Sequence, residues 1–228
     1  MLIERQMRHL NHNALCAIAI DHTGEDPRRC DLVEICVVLL DNFIRPSKKL
    51  MPFYNQIAPF RPDTVDFKTA SISRDKIYAA IQHGLEPSLA ADRFEEWFGR
   101  LNLPERKKIV PLTYNWPVIR EYLHTWLGTA NFNYIFAEEY RDIMGVTYYI
   151  NDCRNQVQKT IPYPRPEHLA YLCAQHGLEM RLSNDVMLRC QQMIKLYAQL
   201  LGIKHAGTEL DIPQLPDNFS VPNSTIGT

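Results

Sequence analysis

The sequence lacks several features that would place it in a familiar functional class. None of its six cysteines forms a C-x-x-C pair, which argues against a zinc ribbon or a thioredoxin-type motif. It has no G-x-x-x-x-G-K-[ST] phosphate loop, no G-x-S-x-G nucleophile elbow and no dinucleotide-binding glycine run. The enzyme classes that depend on these motifs therefore have no support in the sequence.

Long apolar runs and an excess of charge are also missing. The longest apolar runs, residues 15–20 and 35–40, are far too short to cross a bilayer, and the first twelve residues lack the apolar core of a secretory signal. The 25 Lys and Arg residues face 26 Asp and Glu residues, so the net charge is −1. This balance excludes strong global attraction to nucleic acid but not a local basic patch.

The composition predicts one large globular domain in a reducing compartment. A chain of 228 residues with 46% apolar and 22% charged residues can bury a sizeable core without disulfides. Four cysteines lie in apolar patterns, and we interpret them as buried thiols of a cytoplasmic protein; they are Cys16, Cys36, Cys173 and Cys190. We expect an N-terminal extension over 1–13, a domain over 14–202 and an extended Pro/Asn/Ser-rich tail over 203–228.

Two short apolar runs predict adjacent strands near the start of the domain. Residues 15–20 are almost wholly apolar, residues 32–40 are rich in β-branched side chains, and a segment containing Gly and Pro joins them. The segment 49–60 could supply a third strand. Pro59 and Pro62 then indicate a long irregular connection.

Helical spacing dominates the rest of the chain. We predict a helix with Ser88 as its N-cap that runs to Leu101, and a strand over 108–113 in which Pro111 weakens a central position. Further elements are predicted in chain order: a helix from Asn115 to Gly128, a strand over 131–136, a helix from Pro166 to Gly177 and a helix from Asn184 to Gly202. Strands followed by alternating helices and strands predict an α/β domain with a mixed sheet.

Three short stretches resemble a known set of motifs in order and spacing. They read Ala19-Ile20-Asp21-His22-Thr23-Gly24, Tyr114-Asn115-Trp116-Pro117-Val118-Ile119 and Asn184-Asp185-Val186-Met187-Leu188-Arg189. They resemble the D-x-E-T-T-G, H-N-x-x-F-D and H-x-A-x-x-D patterns of the DEDD superfamily of 3′→5′ exonucleases. The resemblance covers residues 14–201 and implies the RNase H-like exonuclease fold, a mixed central sheet flanked by helices.

Further short matches resemble a phage and bacterial subgroup of these exonucleases. They are an HGL triplet at residues 83–85 and the pairs RD at 141–142 and ND at 151–152. The resemblance therefore suggests a phage or bacterial source.

The residues that carry the family's chemistry are mostly replaced. In the superfamily, four acids hold two divalent ions that clamp the reacting oxygens, and a histidine acts on the attacking water. The matching positions here hold Ala19, Ile119 and Arg189 instead of acids and Asn184 instead of the histidine, while Asp21 replaces a glutamate. A site charge near zero and a guanidinium in the place of the metals predict no catalytic residue, no bound metal and no other cofactor.

The resemblance therefore predicts a pseudo-exonuclease that binds a nucleic-acid end, single-stranded if it is bound, or a protein partner. The residues expected to contact nucleic acid are Asp21, Thr23, Tyr114, Asn115 and Trp116. One alternative is an active exonuclease that uses Mg²⁺ or Mn²⁺, held by Asp21 with further acids such as Glu34, Asp152 or Asp185. Another is a scaffold subunit of a replication, repair or phage assembly.

Arg189 is expected to fill the place of the metals. Its planar guanidinium can bond the surviving carboxylate, Asp21, through parallel hydrogen bonds. Asp185 lies one helical turn earlier and is a competing partner. Fold alone does not carry function here, because the site that defines the family's activity is changed.

Overall fold

A computed structural model describes residues 10–165, 168–178 and 185–203. In this part of the chain, five strands form one mixed sheet in the order β3-β2-β1-β4-β5. The strands are β1 (Ala14–His22), β2 (Leu32–Leu39), β3 (Phe53–Gln56), β4 (Ile109–Thr113) and β5 (Arg141–Asp142). β2 is antiparallel to β1 and β3, whereas β4 is parallel to β1 and β5. The predicted α/β class with a mixed sheet is confirmed.

Six α-helices cover both faces of this sheet in the described residues. They are α1 (Arg74–His83), α2 (Pro87–Arg100), α3 (Trp116–Ile135), α4 (Ile143–Gln158), α5 (Leu169–Gln175) and α6 (Val186–Leu200). α2 and α3 pack an aromatic core against one face, and α5 and α6 pack an aliphatic core against the other. None of the helices in the described ranges is long and apolar enough to cross a membrane.

The first strand is buried on both faces because its side chains alternate between the two cores. Ile18 and Ile20 face α2 and α3, while Ala17 and Ala19 face α6. The small alanines let α6 approach closely, so that Cys190 Sγ donates to the Ala17 carbonyl over 3.8 Å. Asp21 follows Ala19 on this face of β1 and bonds to Arg189 of α6.

Sequence analysis did not predict two of the helices, α1 and α4. α1 follows the proline-containing connection and buries only Ile77 and Ala80, and α4 buries only Ile143, Thr147 and Asn151. So few apolar positions give a weak helical period. The predicted third strand within 49–60 is confirmed only as the four residues of β3.

The strand predicted over 131–136 is wrong, because α3 continues through Ile135. The backbone leaves helical geometry at Gly128, with φ 73° and ψ 160°, and then resumes it. The predicted stop at Gly128 is therefore a kink. Phe132 and Phe136 pack at a ring distance of 5.1 Å, the contact expected of residues one helical turn apart.

Two predicted helix caps are displaced by a residue or two. α2 begins at Pro87, and its N-cap is Glu86, whose carboxylate accepts from Leu89 N–H over 3.1 Å, rather than Ser88. Proline suits the first helical position because its missing N–H would have no partner there. The N-cap of α6 is Asp185, and α5 begins at Leu169 after its N-cap His168, three residues later than predicted. Asn184 and Pro166 themselves lie outside the described residues.

The prediction that Pro111 disfavours a central position is also wrong. β4 lies between β1 and β5. The Ile109 carbonyl accepts from Ala137 N–H, so odd-numbered residues of β4 direct their backbone polar groups away from β1. On that side β5 pairs only with Leu112 and Thr113. The N–H that Pro111 lacks therefore lies on the side away from β1, next to the isolated bridge of Ile109 with Phe136, and its absence leaves the pairing of β4 with β1 intact.

The four cysteines predicted to be buried thiols are buried and free, and Cys30 is buried as well. Leu10, within the predicted N-terminal extension, is also buried and packs in the core beside α6. Residues 1–9 and 204–228 lie outside the described residues, so the predicted extended tail is among those not described.

Candidate functional site

The three motif stretches meet at a cleft near the carboxyl end of β1. Ala19, Ile119 and Arg189 all line this cleft, which has a volume of about 190 Å³. Its other walls come from β1, α3, α5, α6 and the segment before α1; they include Ile20, His22, Ser71, Tyr114, Asn115, Val118, Leu169 and Met193. The convergence predicted from sequence is present for these three positions, and Asn184 is outside the described residues.

Arg189 binds Asp21 as the sequence predicted. Arg189 Nη2 lies 2.5 Å from Asp21 Oδ1, and it also donates to the Ile20 carbonyl over 3.1 Å. Ser71 Oγ donates to the same carboxylate oxygen over 2.9 Å. The Asp21 side chain is fully buried, whereas one quarter of the Arg189 side chain is exposed (25%). Arg189 therefore lines the cleft, whereas Asp21 is buried and does not.

Two polar atoms of the Asp21–Arg189 pair lack hydrogen-bond partners among the described residues. Asp21 Oδ2 and Arg189 Nε are buried and have no hydrogen-bond partner among the described residues. Burial raises the pKa of Asp21 from 3.8 to about 7, the nearby Glu34 also raises this pKa, and the Arg189 guanidinium acts to lower it. Asp21 is thus a carboxylate whose charged form depends on Arg189.

A second buried ion pair lies beside the first. Glu34 on β2 is the cross-strand neighbour of Asp21. Its carboxylate accepts from Lys76 Nζ over 2.9 Å and from Tyr54 Oη over 2.6 Å. Two acids on adjacent strands thus face two cations, one from α1 and one from α6. Sequence analysis missed Lys76 because the helix that carries it was missed.

This set of donors does not fit a pair of divalent ions. Such ions need several anionic oxygens turned towards a common point. Here Asp21 is bonded to a guanidinium and Glu34 to an ammonium, so the two cations offset the charge of both acids even when both acids are ionised. A cation entering between them would meet Arg189 and Lys76 at short range.

The other acids considered for an active site have different places. Asp185 accepts from Met187 N–H over 2.8 Å and from Leu188 N–H over 3.4 Å, which caps α6. Asp152 is exposed on α4. Of the acids proposed to act with Asp21, Glu34 is its cross-strand neighbour, and Asp185 lies near enough to Tyr54, the hydrogen-bond donor to Glu34, to raise the pKa of that tyrosine.

The residues predicted to contact nucleic acid divide into two groups. Tyr114 and Asn115 line the cleft. Asp21 is fully buried and bonded to Arg189, so it does not line the cleft. Thr23 and Trp116 are buried as well: Thr23 Oγ1 accepts from Asp31 N–H over 2.8 Å, and Trp116 packs in the aromatic core. Their burial leaves these two side chains no surface for a ligand, so the interface that we propose below does not use them.

Asp142 holds the strand-to-helix junction that forms one wall of the cleft. Its Oδ1 accepts from Asn115 N–H over 2.9 Å and its Oδ2 from Trp116 N–H over 3.1 Å, while Oδ1 also accepts from Met144 N–H over 3.1 Å. Asn115 itself has φ 65° and makes no side-chain cap. One carboxylate therefore caps both α3 and α4, a role that its place in the RD pair did not indicate.

We expect Asp142→Ala to lower the free energy of unfolding by about 2 kcal/mol, because each lost cap is worth about 1 kcal/mol. Asp152→Ala, which removes an exposed acid from α4, serves as the matched control and should change stability by less than about 0.5 kcal/mol. Urea unfolding compares the two variants. Equal stability of both would show that the junction does not depend on this carboxylate.

No family model matches the sequence, and no curated protein matches it. Solved structures do match. Exonuclease I of E. coli in complex with a dT13 oligonucleotide superposes with a TM-score of 0.58 at 14% identity, covering 84% of this chain and 41% of that chain. This chain thus spans about two fifths of exonuclease I.

Two smaller nucleases are also similar. The nuclease domain of 3'hExo, a DEDDh family member bound to rAMP, gives a TM-score of 0.55 at 16% identity and covers 84% of this chain and 92% of that chain. Cell-death related nuclease 4 gives a TM-score of 0.58 at 11% identity and covers 83% of this chain and 64% of that chain. The chain therefore has the fold of the DEDD-family exonucleases, and the predicted RNase H-like exonuclease fold is confirmed.

Proposed function

We propose that this protein is a pseudo-exonuclease that binds the end of a single-stranded nucleic acid without cleaving it. The observation that carries the proposal is the pairing of Asp21 with Arg189 and of Glu34 with Lys76. These pairs occupy the carboxylates that a two-metal mechanism would need. The fold and the cleft are kept, while the chemistry of the cleft is that of a binding site.

The composition of the cleft supports a nucleic-acid ligand. Its volume of about 190 Å³ is below the roughly 300 Å³ of the smallest typical ligand pockets, so it fits one terminal base or sugar rather than a larger molecule. Val118 and Ile119 supply an apolar wall, and Tyr114 and Asn115 supply polar and aromatic groups. The similar exonuclease I and 3'hExo structures hold an oligonucleotide and a nucleotide.

Arg189 is the group that we propose to receive a phosphate. Its Nη2 is used by Asp21 and Ile20, and its Nη1 makes no hydrogen bond to any described residue. A guanidinium held on one side can still donate to a phosphate oxygen from the other. Asp21 then acts as a positioning residue for Arg189.

The free thiols support the expected cytoplasmic location.

The experiment that tests the proposal compares two valine variants. Val118→Glu places a negative charge at the cleft, and Val157→Glu makes the same change on the exposed face of α4. We expect Val118→Glu to weaken binding of a labelled linear oligo-dT about tenfold, the effect of about 1.4 kcal/mol, and Val157→Glu to leave it unchanged. Fluorescence anisotropy measures both.

The same samples also test for hydrolysis. With Mg²⁺ or Mn²⁺ present, we expect the labelled strand to remain full length. Stepwise loss of nucleotides from the 3′ end that Asp21→Ala abolishes would establish the active-exonuclease alternative. Equal binding by wild type and Val118→Glu would remove the cleft as the binding site.

A further inference from the structure

The amino end of the sheet, opposite the cleft, carries a concentration of positive charge. Residues 41–49 and 105–108 contain six basic and two acidic residues, although the whole chain has a net charge of −1. The basic residues are Arg45, Lys48, Lys49, Arg106, Lys107 and Lys108. We call these two segments, together with Tyr134, the basic edge.

The two segments are brought together by the first residues of β1. Leu40, just before the first segment, donates its N–H to the Leu15 carbonyl, and Ala14 donates its N–H to the Lys108 carbonyl, each over 2.9 Å. The segments therefore flank one strand, about 10 Å apart. Asp21 lies seven residues further along β1, so the basic edge is about 23 Å from the cleft.

The loop after β2 is built to display an aromatic ring. Asp41 Oδ1 accepts from the N–H groups of Phe43 and Arg45 over 2.8 and 3.0 Å, and Asp41 Oδ2 accepts from Arg45 Nη2. Ile44 is buried and has φ 58°, a costly conformation for a β-branched residue. Burying Ile44 leaves Phe43 62% exposed, with the Arg45 guanidinium 4.9 Å from the centre of its ring.

A second exposed aromatic residue lies next to the other segment. Lys108 Nζ donates to the Asn133 carbonyl over 2.6 Å, and the neighbouring Tyr134 is 68% exposed. Cations that alternate with exposed aromatic rings are the arrangement that binds single-stranded nucleic acid, because cations attract the phosphates and rings stack on bases. Each nucleotide of a single strand offers a phosphate to the cations and a base to the rings.

We propose that the basic edge is a binding surface for single-stranded nucleic acid, separate from the cleft and independent of the function proposed for it. The cations bind the backbone and Phe43 stacks on a base. Because no end is needed for these contacts, a closed circle of single-stranded DNA should bind the basic edge and should not bind a cleft that takes strand ends. Binding of the circle therefore tests the basic edge without testing the cleft.

The test measures binding of such a circle by the full chain between about 50 and 200 mM salt. In one variant Lys48, Lys49 and Arg106 are changed to Glu; in the matched control Lys68, Arg93 and Lys159, exposed elsewhere, are changed to Glu. We expect the first variant to bind at least about tenfold more weakly and to lower the slope of log K against log salt by about 2. The control should bind like the wild type.

Phe43 provides a second variant that leaves the charge unchanged. Phe43→Ala should weaken binding of the circle about fivefold or more, and Phe43→Trp should restore it, because loss of one stacked base costs at least about 1 kcal/mol. Failure of the wild type to bind the circle, or equal losses in both charge-reversed variants, would overturn the proposal. Displacement of the circle by poly-glutamate, with no effect of Phe43→Ala, would assign the surface to an acidic protein instead.

Discussion

Replacing Arg189 by Met is expected to lower the free energy of unfolding by about 3 kcal/mol at about pH 9, two pH units above the pKa of Asp21, because it leaves the fully buried Asp21 without a cation. Methionine keeps most of the apolar stem with which Arg189 lines the cleft. The loss therefore reports the missing charge more than missing packing. Urea unfolding followed by circular dichroism measures it.

The size of this loss depends on pH. The pKa of Asp21 is raised from 3.8 to about 7 in the folded state. Protonation of Asp21 therefore stabilises the fold fully below about pH 4, and this contribution is lost as the pH rises through about 7. Without Arg189 the pKa rises further, because the guanidinium no longer favours the charged form. The cost of Arg189→Met should thus be small near pH 5 and grow above pH 7.

A double-mutant cycle isolates the pair. Asp21→Asn leaves Arg189 partly exposed and still bonded to the Ile20 carbonyl, so it should cost only about 1 kcal/mol. In that background Arg189→Met should cost less than about 1 kcal/mol, which gives a coupling energy of about 2 kcal/mol at about pH 9. A coupling energy of zero would show that the two side chains do not stabilise each other.

Gly84→Ala is expected to lower the free energy of unfolding by about 3 kcal/mol or more. A Cβ on this residue would collide with the Ala80 carbonyl oxygen and would lie 2.5 Å from Ala58 N and 2.7 Å from Ile57 C. All three are backbone atoms, so no rotation of a side chain relieves the contact. Gly84 lies where the end of α1 crosses the segment after β3, and a shift there would also move Lys76 relative to Glu34.

Gly99→Ala is the matched control. Gly99 lies within α2, and a Cβ there meets no atom within 4 Å. Alanine should therefore stabilise this exposed helical position by up to about 1 kcal/mol. Thermal melts of the two variants should move in opposite directions. A melt of Gly84→Ala equal to that of the wild type would mean that the close crossing does not exist in solution.

The sequence was informative where a strong periodic pattern and a motif coincided. The buried strand ending at Asp21, the helix after Asn115 and the last helix were all predicted, and the spacing of their motifs placed Ala19, Ile119 and Arg189 at one cleft. The Arg189–Asp21 pair could be predicted because opposite charges at two positions of one motif set must meet if the fold is kept.

The rest of the site could not be predicted because its residues lie in segments with little periodic signal. Ser71 and Lys76 reach Asp21 and Glu34 from the connection after β3 and from α1, over 40 residues away in the chain. Asp142 caps α3 across 26 residues. Tertiary contacts of this kind leave no local pattern, since each depends on where the sheet places two distant segments.

Titration with Mn²⁺, followed by the melting temperature, tests most directly whether Arg189 and Lys76 take the place of divalent ions. Binding to the folded state would raise the melting temperature with Mn²⁺ concentration. We expect no rise for the wild type, and a rise for the variant in which Ala19, Ile119 and Arg189 are all changed to Asp. A rise for the wild type that Asp21→Asn abolishes would show that the cleft binds the metal, and would contradict the replacement of the divalent ions by Arg189 and Lys76.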